Sequence, residues 1–288
     1  MSNYVAIPGS DLNEAGAIVW WTLSGSVDLI DIVEVLDSVG LPETWAPTAP
    51  RIETVAQRAA TAAATSRRQL VRPLSKRSAW EFVTETVVGE GEASRLKYTA
   101  NVRISVGEDG LRLQPVTPED TDLAAQIGAN MEIHRGLLNC TDMSNWLTGL
   151  LANHLQSVGL RDRGGFYFVP AGESLDNWRK ICEVVRSVSG HKMYSMPAMT
   201  SDDAIEAILG ALQQEADQAM EKLETYLQNE NLSTRALNVW DRSMTALQSK
   251  VATYANLLGL NLESMTQRAE TLLGGVTAAR MIRDTKRK

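Results

Sequence analysis

The last third of the chain carries the pattern that most constrains the fold. Apolar residues recur there at alternating spacings of three and four, first over residues 205–226 and again over residues 237–258. Such spacing places the apolar side chains along one face of a helix and is typical of helices that pair. A short polar segment, residues 229–233, separates the two runs. The sequence therefore predicts an antiparallel coiled-coil hairpin, an arm about 37 Å long at 1.5 Å per residue.

A further helix is predicted after the hairpin. Gly259 is placed to end the second helix, and Asn261 is placed to cap a third, whose apolar residues continue to Ala279. The apolar stripe of the arm is the candidate interaction surface, because burial of such a stripe drives helices together. Its representative members are Leu209, Leu212, Leu223, Trp240, Leu247 and Tyr254. The pattern leaves open whether the stripe packs on the rest of this chain or on another chain.

Residues 79–116 are the clearest β region. Apolar and polar residues alternate from Trp80 to Val88 and again from Leu96 to Val106, with glycine-containing turns after each run. A period of two is the signature of a strand with one buried face. With a third short strand ending at Pro115, the region predicts an antiparallel three-stranded meander.

A second β region spans residues 160–197. Two short apolar runs, 166–170 and 191–197, flank a predicted helix over residues 174–188, which indicates one βαβ unit with a right-handed crossover. A single sheet carrying the meander and these two strands would give an α+β fold. We therefore predict an α+β body over residues 1–200, with an acidic region at 1–50, followed by a helical arm over residues 201–288 that ends in a basic tail.

Four more helices and one apolar run complete the predicted elements. The helices are expected at residues 26–39 with Ser26 as N-cap, at Arg51 to Leu70 from its alanine content, at 118–138 and at 143–158. The run from Ala17 to Trp21 is either a strand or the start of a helix. Its adjacent tryptophans are interpreted as large core anchors, with a ring-bearing ligand as the alternative.

Charge distribution marks the candidate anion-binding residues. The net charge is −7, which argues against indiscriminate nucleic-acid binding, and residues 1–50 contain no lysine or arginine. Basic residues cluster instead in three places, and they are the candidate contacts for an anion or a nucleic acid: Arg67, Arg68, Arg72, Lys76, Arg77, Arg161, Arg163, Arg280, Arg283 and Arg287. The alternative is that these clusters are solvated faces, with Arg67 and Arg68 in the last turn of a helix and a disordered basic tail.

No motif with a defined chemistry is present. Gly164-Gly165 precedes a strand, whereas a nucleotide-binding loop follows a strand and opens a helix, so a flexible entry into a buried strand is the preferred interpretation. The three histidines lack metal-ligand spacing, and Cys140 and Cys182 are expected to be small buried residues in a reducing cytoplasm. We predict no cofactor, no catalytic residue and, since no apolar run approaches about 20 residues, no membrane span.

Two segments resemble those of a known group of proteins. Gly164 to Pro170, then a helix, then Lys192 to Pro197, then a helical hairpin are similar to an uncharacterised family from bacteria and their phages, over roughly residues 140–260. The resemblance implies a phage or mobile-element protein of the host cytoplasm, and it implies no activity.

The sequence favours a non-enzymatic interaction or assembly protein. It would bind itself or another protein through the arm. The alternative is a DNA- or RNA-associated protein that uses the basic residues listed above. An enzyme of unidentified class is the third hypothesis and needs a deep pocket with converging polar groups.

Overall fold

Two antiparallel four-stranded sheets, one short strand pair and eight α-helices make up the described residues. The computed structural model describes residues 14–74, 79–89, 94–107, 110–161, 164–199, 201–227, 233–259 and 262–286. The strands are β1 (Glu14–Thr22), β2 (Ser26–Asp28), β3 (Gln69–Pro73), β4 (Ala79–Val88), β5 (Arg95–Gly107), β6 (Gly110–Pro115), β7 (Leu137–Asn139), β8 (Val158–Gly159), β9 (Tyr167–Pro170) and β10 (Lys192–Met199). The helices are α1 (Leu29–Ser38), α2 (Ile52–Ala62), α3 (Thr121–His134), α4 (Cys140–Asn153), α5 (Glu173–Val188), α6 (Asp202–Leu227), α7 (Thr234–Leu258) and α8 (Glu263–Lys286). The α+β class predicted from the sequence is confirmed.

The chain forms two compact units, and neither unit matches the predicted body over residues 1–200. One unit combines Met1–Leu23 with Asn145–Lys288, and the other is Ser24–Ser144. The predicted division falls near residue 200 instead. The two divisions differ because α6 and α7 share one apolar cluster with strands β1, β9 and β10, so the helices after residue 200 belong to the core of the unit that holds those strands.

The unit Ser24–Ser144 is built on the predicted meander. Strands β3, β4, β5 and β6 pair in that order, so the meander gains β3 as a fourth strand. The alternation in β4 and β5 sends Phe82 and Val102 into a core shared with α2 and α3. The register shifts between Phe82 and Val83, where β5 contributes an extra residue. Beyond this bulge the predicted alternation no longer marks the core, and Val88 is 54% exposed.

Two helix predictions in this unit need correction. The helix expected from Arg51 to Leu70 ends at Ala62, because Gln69–Pro73 pairs with β4 as a strand. The side chain of Gln69 accepts hydrogen bonds from the backbone N–H groups of Thr65 and Ser66, which stabilises the turn between them. Helix α1 is capped by Asp28, whose Oδ1 accepts from the N–H of Ile30 at 2.9 Å, and the predicted cap Ser26 lies in β2.

Two neighbouring helices also differ from their predicted bounds. Helix α3 ends at His134, because Leu137–Asn139 pairs with β2. Helix α4 begins at Cys140 rather than Met143, since the side chain of Asn139 accepts from the N–H groups of Thr141 and Asp142. The same helix stops at Asn153 and leaves Val158 to strand β8.

The other unit contains the second four-stranded sheet, in the order β10, β1, β9, β8. Strand β1 resolves the ambiguity over residues 17–21 in favour of a strand. It lies between β9 and β10 and is antiparallel to both. The predicted βαβ unit β9–α5–β10 is therefore split by β1, and the prediction of one sheet shared with the meander is wrong. Helix α5 packs on β9 and β10.

Three helices, rather than a pair, complete this unit. Near the sheet, Leu212 of α6 and Tyr254 of α7 pack with Phe168 of β9. Farther along, α6, α7 and α8 share a second apolar cluster that includes Leu223, Leu247 and Val276. The helices predicted for the arm are confirmed, with Gly259 in the left-handed conformation at the end of α7. The predicted Asn261 cap lies outside the described residues. The correction is that α8 packs on both other helices, which makes a three-helix bundle of the predicted hairpin.

Candidate functional surfaces

A row of aromatic side chains crosses the sheet β10–β1–β9–β8, in the unit that combines Met1–Leu23 with Asn145–Lys288. Trp20 in β1 stacks on Tyr194 of β10, with ring centroids 5.3 Å apart and an interplanar angle of 14°. On its other side Phe166 lies 5.4 Å away at 37°. Met196 lies two residues from Tyr194 and so extends the same face. Phe166 is 37% exposed and Met196 is 50% exposed, so this face presents apolar surface to solvent.

Trp21 has the opposite role from Trp20. Its ring stacks on Tyr167 at 5.5 Å and 3°, and it lies 6.2 Å from Trp178, which is fully buried. Successive residues of a strand point to opposite faces. Both tryptophans are half-buried. Trp21 packs against the buried Trp178, as the interpretation as a core anchor expects, whereas Trp20 belongs to a row that reaches the surface.

A buried ion pair lies where the sheet meets the helices. Lys250 of α7 is 3% exposed, and its Nζ donates to Oε1 of Glu215 in α6 at 2.6 Å and to the carbonyl oxygen of Ser157 at 2.8 Å. Burial, and next the charge of Glu215, raise the pKa of Tyr254 well above its ordinary value. Because Lys250 bonds to both Glu215 and Ser157, these contacts join α6 and α7 to the segment that enters β8.

A cavity of about 200 Å³ opens beside this pair. Besides Lys250, Glu215 and Ser157, its lining includes Arg161 and Tyr167. Gly164 lies in the loop before β9 and has φ +70°, a conformation that favours glycine. Its N–H donates to the carbonyl of Arg161 at 3.1 Å. A Cβ at that position would approach the Tyr167 hydroxyl to 2.9 Å. The glycine loop singled out in the sequence therefore borders a polar cavity.

Most of the predicted interaction stripe lies inside the chain. Leu212, Leu223, Leu247 and Tyr254 are each less than 5% exposed, and their neighbours belong to the same unit. The other two members, Leu209 and Trp240, are half-buried. The four buried residues pack on the chain itself, which is one of the two alternatives that the sequence left open.

The predicted basic residues are divided between the two units. Arg67 and Arg68 are exposed in the turn before β3, and Arg161 is exposed beside the cavity. Arg280 donates to Asn238 at 3.0 Å and lies 3.7 Å from Asp241. Lys76, Arg77, Arg163 and Arg287 lie outside the described residues, as does the side chain of Arg283.

Arg72 is already engaged within its own sheet. Its guanidinium carbon lies 3.4 Å from the centroid of the Tyr98 ring, a cation–π contact. A hydrogen bond with Glu85, and next desolvation, raise the pKa of the Tyr98 hydroxyl. The carboxylate of Glu85 therefore accompanies the guanidinium of Arg72 at Tyr98, so this part of the predicted basic surface also carries a negative charge.

A second ion pair, partly buried, occurs in the unit Ser24–Ser144. The guanidinium of Arg58 in α2 lies 2.7 Å from a carboxylate oxygen of Asp142 in α4, with each side chain less than a quarter exposed. Burial would raise the pKa of Asp142, but hydrogen bonds from Arg58 and from the N–H of Asn139 outweigh it and lower the pKa. A cavity of about 410 Å³ lies beside Arg58 and is also lined by Gln57, Thr61 and His134. Nη2 of Arg58 also donates to Oδ1 of the same carboxylate at 3.0 Å, so the pair joins α2 to the first turn of α4.

The remaining candidates are described briefly. Cys182 is 4% exposed, as expected, and burial raises its pKa to about 12. Cys140 is only half-buried, with its Sγ donating to the carbonyl of Gly25 at 3.3 Å, so its expected burial is partial. Within the described ranges, no three His, Cys, Asp or Glu side chains are grouped to hold a metal ion. Nor does that part of the chain include a helix long and apolar enough to cross a membrane.

The sequence contained an unused signal for the Lys250–Glu215 pair. Lys250 follows Leu247 by three residues and precedes Tyr254 by four, so it lies on the apolar face of its helix. Glu215 stands in the same relation to Leu212 and Ala219. Charged residues at such positions predict a buried, paired site.

Comparison with known proteins identifies the family. No curated protein and no solved structure gives a significant match. One family model matches residues 15–278, which is nearly the whole chain. The chain belongs to DUF6744, a family of unknown function.

Proposed function

We propose that the chain is an interaction or assembly protein that pairs with a second copy of itself through the aromatic row of Phe166, Trp20, Tyr194 and Met196. The observation that carries the proposal is the exposure of Phe166 and Met196 beside the stacked rings. Aromatic side chains and methionine are enriched in protein interfaces, where buried aromatic anchors carry much of the binding energy.

The geometry of the rings favours protein over nucleic acid at this surface. Trp20 and Tyr194 stack face to face, so each ring covers a face of the other that a base would otherwise use. In a two-fold dimer the same patch faces itself, and like charges at its centre would repel. Among the described residues of β1, β9 and β10 that follow Trp20, Tyr194 and Met196 at a spacing of two, Lys192 is charged, and it lies two residues from Tyr194 and therefore at the end of the row.

This proposal keeps the predicted class of function and changes the surface. The apolar stripe of the helices was the predicted contact, but four of its six representative residues are buried in the chain's own bundle. Bacterial or phage origin, a location in the host cytoplasm and nucleic-acid binding through the basic residues stay predictions from the sequence.

Light scattering of the full chain over a concentration series tests the proposal. We expect a mass above the 31.5 kDa of one chain, and dissociation when Phe166 and Met196 are both changed to serine. Both side chains are exposed, so the fold should tolerate the change. Ile133→Ser is the matched control, since Ile133 is 65% exposed and lies in the other unit. A monomer at every concentration, or equal dissociation in the control, would refute the proposal.

A further inference from the structure

We propose that the cavity beside Lys250 is a binding site for a small oxyanion, such as the phosphate or carboxylate group of a metabolite. This inference is independent of the proposed dimer, because its residues are not those of the aromatic row.

The first argument is the unused donor of Lys250. An ammonium group has three N–H donors. Two of them bond to Glu215 and to the Ser157 carbonyl, and no third acceptor lies within hydrogen-bonding distance among the described residues. Because the side chain is 4% exposed and lines the cavity, an acceptor for that donor would have to enter the cavity.

The second argument is the sign of the charge. Three charged side chains among the described residues line the cavity: Lys250, Arg161 and Glu215. Glu215 offsets one positive charge, and Arg161 leaves the cavity with a net charge of about +1. A buried ammonium and a guanidinium at one cavity are the groups that bind phosphate and carboxylate most strongly. The cavity therefore selects an anion over a neutral or cationic ligand.

The third argument is size and access. A volume of about 200 Å³ corresponds to roughly six or seven water molecules at about 30 Å³ each. That space accommodates one oxyanion with a small organic substituent. Arg161 is exposed, so a ligand has a route from solvent to the buried ammonium. Tyr167 and the exposed amide of Gln218 also line the cavity and offer further polar contacts.

The test uses the full chain with inorganic phosphate and acetate as separate probes. Each is titrated at constant ionic strength, with affinity from calorimetry and the site from backbone amide NMR shifts. We expect shifts concentrated at Gly159 and Ala211, which line the cavity. Binding of phosphate alone, acetate alone or both supports the proposal and identifies the class of oxyanion.

Matched arginine variants separate a site from a general salt effect. Arg161→Gln should weaken binding about tenfold or more, because a charge-assisted hydrogen bond is lost. Arg242→Gln removes an equally exposed arginine from α7 away from the cavity and should leave the affinity unchanged. No shift at the cavity with either probe, or equal affinity in the wild type and Arg161→Gln, would overturn the proposal. A Lys250→Met variant that stays folded and still binds phosphate with wild-type affinity would also overturn it.

Discussion

Removing either member of the Lys250–Glu215 pair should have very different effects on stability. The side chain of Lys250 is 4% exposed, whereas that of Glu215 is 40% exposed. If Glu215 is replaced by alanine, the buried ammonium loses its counter-charge and retains only the Ser157 carbonyl. If Lys250 is replaced by methionine, the remaining carboxylate can still be hydrated. Removing Glu215, the more exposed of the two residues, should therefore lower the stability more than removing Lys250.

The burial of each group sets the expected magnitudes. Removing one partner of a buried ion pair lowers the free energy of unfolding by about 3–5 kcal/mol. Water can reach the ammonium through the space that Glu215 leaves, so we expect Glu215→Ala to cost about 3 kcal/mol, near the lower end of that range. Lys250→Met leaves the Ser157 carbonyl without its donor, about 1–3 kcal/mol, partly offset by the apolar packing of methionine, so we expect about 1–2 kcal/mol. The double variant should also cost about 1–2 kcal/mol, which makes it more stable than Glu215→Ala alone.

Urea unfolding followed by tryptophan fluorescence measures these differences. Five of the seven tryptophans lie in the unit that contains the pair: Trp20, Trp21, Trp146, Trp178 and Trp240. The control is Arg179→Met, because the Arg179–Asp176 pair is also short, at 2.8 Å, but is more than half exposed and should contribute less than about 0.5 kcal/mol. Additive losses in the double variant, or a Glu215→Ala cost below that of Lys250→Met, would refute the reasoning.

Three further predictions concern burial and protonation. Phe168→Asp should destabilise the chain by about 4 kcal/mol or more, because it places a carboxylate at a position that is 1% exposed, and a soluble variant with an unchanged urea midpoint would contradict this. The lowered pKa of Asp142 contributes stability above the pKa of the unfolded chain that is lost as the pH falls through the folded value. The urea midpoints of wild type and Asp142→Asn should therefore differ at pH 6, begin to converge below about pH 4 and meet below the lowered pKa of the folded chain. A gap that does not narrow in acid would argue against this cause. Iodoacetamide at pH 8 should label Cys140 in the folded chain and Cys182 only after unfolding, since burial raises the pKa of Cys182 to about 12, and mass spectrometry of digested peptides would show the order.

Local patterns predicted most of the elements, and long-range pairing decided where several of them end. The alternation in β4 and β5 and the periodicity of α6 and α7 were sufficient to identify those elements. The end of α2 could not be predicted, because the alanine-rich segment has helix propensity and only pairing with β4 converts Gln69–Pro73 into a strand. The insertion of β1 between β9 and β10 is likewise outside any local pattern, since about 150 residues separate Ile18 from Phe168 in sequence.

The aromatic row could not be predicted for the same reason. Trp20, Phe166 and Tyr194 come from three distant segments, and only the strand order β10–β1–β9 makes them neighbours. The sequence did predict that the run 166–170 would form a buried strand after the glycine pair. Phe168 and Val169 are fully buried and Phe166 lies just outside β9, so that prediction is confirmed for the strand itself.

The width of the buried face on α7 explains why the predicted hairpin is a three-helix bundle. A two-helix coiled coil buries a narrow seam of alternate third and fourth residues, whereas a helix with more than one neighbour buries a wider stripe. In α7, Leu247, Lys250, Val251 and Tyr254 are all buried within two turns. Val251 and Tyr254 pack toward the sheet, and Leu247 packs toward α6 and α8. Lys250 lies between these two contacts, at the only described position of α7 where a buried charged side chain lines a cavity. A charged residue that interrupts an unusually wide apolar face is therefore the sequence feature that points to this site, and the stripe alone does not.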